Sequence, residues 1–341
     1  MIAASMSTPE RIAAEVGAVP GGELLVIACA ADRRYALPLA VMLRSAADNA
    51  RASTRIEAYV VDDAIDPEDK ARVELSIAGR VTLHWVHEQS ADLAGLPIWG
   101  RMSATTYRKL TVARWLPPDV SRAIWLDCDV LVLAELEPLW RADLAGRHVM
   151  AAPDALVPHL SSRFGVAAHR ELGLRPDARY FNAGVLVSDL AAWRRDDVAG
   201  RALDYLRRYG QRVYFWDQEA LNAVLAGSWG ALDTRWNWQV TIDRLAAPGR
   251  SDHSRAHPWI LHFSGNLKPW LYGGSSAHHQ AYYRYLDRTA WSGSRPTPSW
   301  RATMLSAYES SRLRRICYPA EQLGTRIVRA VTRRYSPASE E

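Results

Sequence analysis

The sequence predicts an α/β protein with a Rossmann-like, mostly parallel sheet flanked by helices, and three observations carry that prediction. Short, continuous apolar runs alternate with helical segments through the first half of the chain, as expected of strands buried on both faces. The resulting β-α-β-α-β order calls for right-handed crossovers and parallel pairing. At 341 residues and 48% hydrophobic, the chain also has material for a large core.

Taken in order, Leu24 to Ala30 (LLVIACA) is the first strand, followed by a helix over Leu37 to Ala47. Ile56 to Val61 is the second strand and ends in Asp62-Asp63. Pro67 to Ile77 follows as a helix with Pro in its first turn, and Val81 to Val86 as the third strand. A helix through Thr105 to Trp115 leads into the strand Ala123 to Leu126, which ends in Asp127-Cys128-Asp129. Phe181 to Val187 is a further buried strand, Leu190 to Tyr209 a helix, and Gln218 to Leu225 a shorter helix. From Trp229 to Trp300 the chain is rich in Trp, Gly and Pro, which predicts loops around one strand at Trp259 to Phe263. The expected organisation is an N-terminal extension over 1–22, one α/β domain over 23–300 and a basic segment over 301–341.

Charge is unevenly placed. The net charge is +5, and residues 301–341 hold eight Arg and four Glu, which leaves +1 for residues 1–300. A nearly neutral body with no recognition motif speaks against a nucleic-acid partner. Apolar Leu323, Ile327, Val328 and Val331 fall at helical spacing, with Arg326, Arg329 and Arg333 on other faces. That pattern predicts a basic amphipathic helix on an anionic membrane surface, the alternative being an ordinary surface helix or a disordered end. With no apolar run of membrane-spanning length and no secretory leader at its start, the expected location is cytoplasmic, peripheral to the inner face of the membrane. Three widely spaced cysteines, Cys29, Cys128 and Cys317, indicate neither a disulfide framework nor a zinc site.

The sharpest motif is Asp127-x-Asp129 directly after the apolar stretch AIWL. In a parallel sheet, ligands bind beyond the carboxyl ends of strands. Strand alternation would aim both carboxylates one way and Cys128 into the core. Two hard oxygen donors suit Mg²⁺ or Mn²⁺ together with a diphosphate; the bland reading is a strand-end turn. His262-Phe-Ser-Gly265-Asn-Leu-Lys268-Pro-Trp270 combines a strand-end imidazole, a permissive glycine and a point charge. His262 could instead be a structural histidine. Only Lys70, Lys109 and Lys268 are lysines, beside 39 Arg, so a lysine here stands out against an Arg-rich background. Two more motifs are Tyr180-Phe-Asn182-Ala-Gly184 and Trp216-Asp217-Gln218-Glu219, where Asp217 could simply cap a helix. The 14 Trp against four Phe, nine of the Trp between Trp193 and Trp300, fit sugar stacking but equally fit ordinary packing.

Six blocks, CAADRRYA, SATTYRKL, IWLDCDVLV, YFNAGVLV, WDQEALN and HFSGNLKPW, occur in one order over roughly residues 23–272. In that order and spacing the chain resembles glycosyltransferase family 8, closest in type to bacterial lipopolysaccharide galactosyl- and glucosyltransferases. The resemblance implies a GT-A fold and retaining transfer from a UDP-hexose to a saccharide or glycolipid acceptor, with Mn²⁺ or Mg²⁺ as cofactor. It implies that Asp127, Asp129 and His262 bind the metal. Ala30, Asp32 and Tyr35 would form the uridine pocket, and Gly265 and Lys268 would contact the diphosphate. Cys128 would belong to the same donor-binding turn. Asp154, Asn182, Asp217 and Gln218 would surround the donor sugar, with Gln218 nearest the reacting face. Three positions depart from the family pattern. Arg33-Arg34 stands where Asp-Asn or a similar pair is usual, and Lys109 where an Arg usually touches donor phosphate and sugar. Lys109 keeps the charge and loses the bidentate fork.

Retention is open to two routes: a double displacement on Asp217 or Asp154, or front-face attack with the leaving phosphate taking the acceptor proton. An amide at Gln218 favours the second. Competing readings are a haloacid-dehalogenase-like phosphatase with Asp127 as nucleophile, and a membrane-attached nucleotide-sugar-binding protein without turnover.

Overall fold

The structure, a computed structural model, describes residues 23–88, 91–98, 102–240, 257–265, 268–274, 276–297 and Met304. The expected N-terminal extension and basic tail lie outside the described residues, Met304 excepted. Strand β1 (Leu24–Asp32) is followed by helix α1 (Ala36–Asn49), β2 (Arg55–Asp63), α2 (Pro67–Ile77) and β3 (Thr82–Val86). Next come α3 (Val112–Trp115), β4 (Arg122–Leu126), β5 (Val130–Val132), α4 (Glu137–Trp140) and β6 (Val149–Pro153). The remainder is β7 (Phe181–Asp189), α5 (Leu190–Arg195), α6 (Val198–Tyr209), α7 (Trp216–Val224), β8 (Trp229–Ala231), β9 (Trp238–Gln239), β10 (Ile260–His262) and α8 (Ala277–Leu286).

The main sheet has the order β3-β2-β1-β4-β7-β6-β8, and β5-β10-β9 form a small second sheet. Pairing is parallel except where β7 runs against β4 and β6. Alternation along β1 divides the core. Leu25, Ile27 and Cys29 pack with residues of α1, α2, α8 and the small sheet. Val26 and Ala28 face the cluster built with α3, α5, α6 and α7. The result is a sheet covered on both sides, the arrangement that continuous apolar strands require.

Strand order reverses at β1, which has β2 on one side and β4 on the other. The crevice beyond the carboxyl ends of β1 and β4 is therefore a topological switch point. Because β7 is antiparallel, its first residues reach the same end; the Asp127 N–H donates to the Gly184 carbonyl at 2.9 Å.

Several elements differ from expectation. The helix expected over Leu190 to Tyr209 breaks at Asp196-Asp197, where Asp197 takes φ 40° and its carboxylate caps α6 by accepting from the Gly200 N–H. The helix expected from Thr105 is a 3₁₀ segment, Ala104–Lys109, ahead of α3. Asp127 to Asp129 form a turn closed by the Val130 N–H on the Asp127 carbonyl at 3.2 Å, so the carboxylates converge through a turn and not through strand alternation. The stretch expected to be loops also contains β8, β9 and α8, whose Ser276 side chain accepts from the His279 N–H as N-cap.

Candidate active site

Asp127, Asp129 and His262 each offer a ligand atom within 4.8 Å of the others, and they form the one such metal-capable group among the described residues. Asp127 and Asp129 leave the β4 end, and His262 closes β10, held beside β5 by antiparallel pairing. His262 Nε2 lies 3.3 Å from Asp129 Oδ1. Two carboxylates and one imidazole are a donor set that suits Mn²⁺ or Mg²⁺.

Each carboxylate also meets a lysine. Lys268 pairs with Asp129 and donates to the Phe263 carbonyl at 2.7 Å. Burial raises the Asp129 carboxyl, but Lys268 and His262 outweigh it and hold the group well below the usual carboxylate range. Lys109 Nζ lies 3.0 Å from Asp127 Oδ1 and 2.8 Å from Asp217 Oδ2. Burial pulls its ammonium down, while Asp127 and Asp217 more than offset this and leave it above the ordinary lysine range. Trp125 Nε1 donates to Asp127 Oδ1 at 2.7 Å, and Thr106 Oγ1 to Asp217 Oδ1 at the same distance. Asp217 is therefore no helix cap. It is a buried partner of Lys109, one residue after Trp216, whose φ of 37° is unusual for so bulky a side chain.

The remaining polar residues interlock. Asp154 Oδ1 accepts the N–H groups of Leu156 (2.8 Å) and Val157 (2.9 Å), and Oδ2 accepts Asn182 Nδ2 (3.0 Å) and Gln218 Nε2 (3.1 Å). Gln218 Oε1 accepts the Ala183 N–H at 3.0 Å, and one turn later Asn222 makes two 2.9 Å bonds to the main chain of Phe181. Gln218 and Asn222 thus dock α7 on alternate residues of β7, an i, i+4 pair meeting an i, i+2 pair. Gly184 makes room for His262: a Cβ there would stand 2.6 Å from Nδ1 and nearer still to Cε1.

At the β1 end, half-buried Ala30 gives its carbonyl to the buried Cys128 thiol at 3.3 Å. The Cys29 contact and burial push the Cys128 thiol up. Its side chain is committed to the core, so any donor contact falls to its main chain. Asp32 accepts the Arg34 N–H at 2.9 Å and the Arg34 guanidinium at 2.8 Å. The Arg33-Arg34 departure therefore has a structural consequence: Arg34 occupies the carboxylate expected to meet the base. The half-buried Tyr35 ring meets Trp270 edge-on at 5.8 Å, which folds the loop after β10 onto the β1 end. Gly265 starts that loop at φ 86°, a conformation that favours glycine.

All fourteen residues expected at the site thus lie on elements that end, begin or turn at this side of the sheet. Sequence reasoning missed Trp125, Thr106 and Asn237. Trp125 was legible as the residue two before Asp127; Asn237, inside WNWQ, carried no local signal.

Residues 26–274 match the sequence profile of Glycosyl transferase family 8. The chain is 27% identical over 283 residues to General stress protein A of Bacillus subtilis, covering 79% of this chain and 95% of that one. It is 24% identical over 241 residues to a putative glycosyltransferase of Haemophilus influenzae, covering 70% and 71%. Among solved structures it is similar to galactosyltransferase LgtC in complex with donor and acceptor sugar analogues, with TM-score 0.65 and 26% identity over 82% of this chain and 99% of that one. These matches separate the chain from the phosphatase alternative for Asp127. With the profile spanning most of its length and the GT-A sheet carrying the acidic turn at its switch point, the chain belongs to glycosyltransferase family 8.

Proposed function

We propose that the protein is a retaining, divalent-metal-dependent hexosyltransferase. It would move galactose or glucose from a UDP-sugar to a saccharide or glycolipid acceptor such as lipopolysaccharide core. The observation that carries this reading is the convergence of Asp127, Asp129 and His262 with the Asp154–Asn182–Gln218 network at one end of the sheet.

Asp127, Asp129 and His262 would hold Mn²⁺ or Mg²⁺. Bound there, the ion supplies Lewis-acid stabilisation of the departing UDP. Lys268, paired with Asp129, would meet the diphosphate oxygens. Ala30, Asp32 and Tyr35 line the end where uridine would lie, with Arg34 sharing Asp32. Asp154, Asn182, Asp217 and Gln218 would surround the donor sugar.

Front-face attack is favoured over a double displacement by the state of the two candidate nucleophiles. Both Asp154 oxygens are saturated by four N–H donors. Asp217 is neutralised by Lys109 and hydrogen-bonded by Thr106. Neither presents a bare, reactive carboxylate.

The basic tail is proposed to dock the enzyme on anionic lipid at the cytoplasmic face. Among the described residues no helix is long and apolar enough to cross a membrane. A panel of UDP-sugars with Mn²⁺, scored for UDP release with and without saccharide acceptors, tests the catalytic reading with Asp129→Ala as the blank. Turnover lost in the variant is the expected result; equal activity in both proteins sinks the metal assignment. UDP binding without turnover on any acceptor would favour an inactive nucleotide-sugar-binding protein.

A further inference from the structure

His262 is held from behind by a chain of amides whose orientation can be read without ambiguity. Its two ends are fixed. The Gly184 N–H can only donate, and it reaches Asn182 Oδ1 at 3.0 Å. The Asp154 carboxylate, already accepting two backbone N–H groups, receives Asn182 Nδ2 at 3.0 Å. Asn182 therefore turns its oxygen toward β7 and its nitrogen toward Asp154. The buried Asn237 lies 2.8 Å from that oxygen and must give it Nδ2–H. The Asn237 oxygen is then left facing His262 Nδ1 at 2.9 Å. An oxygen there requires a proton on Nδ1, which makes Nε2, on the side of Asp129 and Asp127, the nitrogen that can ligate a metal.

We propose that Asn237 is the positioning residue for the metal ligand His262, and that Asp154 and Asn182 set the direction of its amide. One relay then joins the carboxylate expected at the donor sugar to the imidazole expected at the metal. The proposal rests on the reading of Asp127, Asp129 and His262 as a metal site and adds what orients the third ligand. It also gives Asn182 a task besides contacting a sugar. Its oxygen already accepts two hydrogen bonds, so its amide is committed to the relay.

The test measures Mn²⁺ on the full chain without nucleotide. Free-ion electron paramagnetic resonance gives affinity, and spin-echo modulation from a directly bound ¹⁴N shows whether an imidazole ligates. His262→Ala identifies that signal. Asn237→Leu removes the acceptor at similar volume; affinity should fall about 10–100-fold and the ¹⁴N modulation should vanish. Asn237→Asp keeps an oxygen for Nδ1–H, so it should retain the modulation and bind Mn²⁺ at least as tightly as wild type. Wild-type affinity and modulation in Asn237→Leu would overturn the proposal. If that variant does not fold, loss of the ¹⁴N signal in folded Asn237→Asp overturns it as well. Asp129→Ala separates the two layers. Wild-type Mn²⁺ binding in that variant removes the metal site and this proposal together, whereas its loss beside an unaffected Asn237→Leu removes this proposal alone.

Discussion

Gly184→Ala is the smallest change that should disable the site without touching a charged group. Gly184 lies within strand β7 and has no positive φ, so alanine carries no backbone penalty there. The obstacle is the imidazole of His262. The new Cβ would stand 2.6 Å from Nδ1 and 3.1 Å from Asn182 Oδ1, where ordinary contact begins at 3.4 Å. The ring must therefore retreat by about 0.8 Å or more, while metal–ligand distances tolerate only about ±0.2 Å. Retreat also strains the 2.9 Å contact with Asn237. Overpacking of this kind costs about 1–3 kcal/mol of stability. Displacing a ligand's support costs about 10–100-fold in metal affinity, equivalent to about 1.4–2.7 kcal/mol. The assay is Mn²⁺ titration followed by the resonance of the free ion, with urea unfolding to confirm a folded protein. A folded Gly184→Ala that binds Mn²⁺ as tightly as wild type would refute the reasoning, because the imidazole would then be free to move without leaving the site.

Lys109→Met should destabilise the protein by about 3–5 kcal/mol in urea unfolding, since it strands the buried Asp217 carboxylate beside a half-buried Asp127. Adding Asp217→Asn should recover part of that loss, and a single-variant loss below about 1 kcal/mol contradicts it. Burial raises the Glu88 carboxyl, with Arg108 and Thr111 pulling the other way. The folded state therefore keeps a proton that the unfolded state has released. Its contribution is complete below the unfolded pKa, about 4.3, and is lost as pH rises through the folded value. Glu88→Gln should flatten the fall in melting temperature across that window, and an unchanged slope counts against it. Deleting residues 310–341 should release the protein from anionic vesicles while sparing UDP-sugar turnover; retained vesicle binding would reject the docking role of the tail.

How much of this was legible follows from how local each signal is. Strands β1 and β4 announce themselves because burial on both faces demands unbroken apolar runs, and β2 because its buried apolar residues alternate with half-buried ones. Their ends are marked by Asp32, Asp63 and Asp127, so the position of the site was readable too. Helix α8 was hidden because its apolar face is built from Tyr282, Tyr283 and Leu286 among histidines and small residues. The break before α6 was hidden because an aspartate at φ 40° leaves no trace in periodicity. Within the site, charged residues stood out by type, whereas their supports did not. Asn237 lies 55 positions from Asn182 and 25 from His262, so only the folded chain reveals its role.

Each of the three lysines pairs with a carboxylate at or just past a strand end. Lys70 pairs with Asp62 at the end of β2, Lys109 with Asp127 at the end of β4, and Lys268 with Asp129 in the turn that follows. Every other cationic side chain of this type in the protein is an arginine, which amine chemistry ignores. Lys109 is buried, so an amine-selective acylating reagent would find its accessible side-chain targets in Lys70 and Lys268. The protein carries, in effect, a built-in footprinting label. Protection of Lys268 by donor, set against an unprotected Lys70 on the neighbouring strand end, would report occupancy of the site from a single mass measurement.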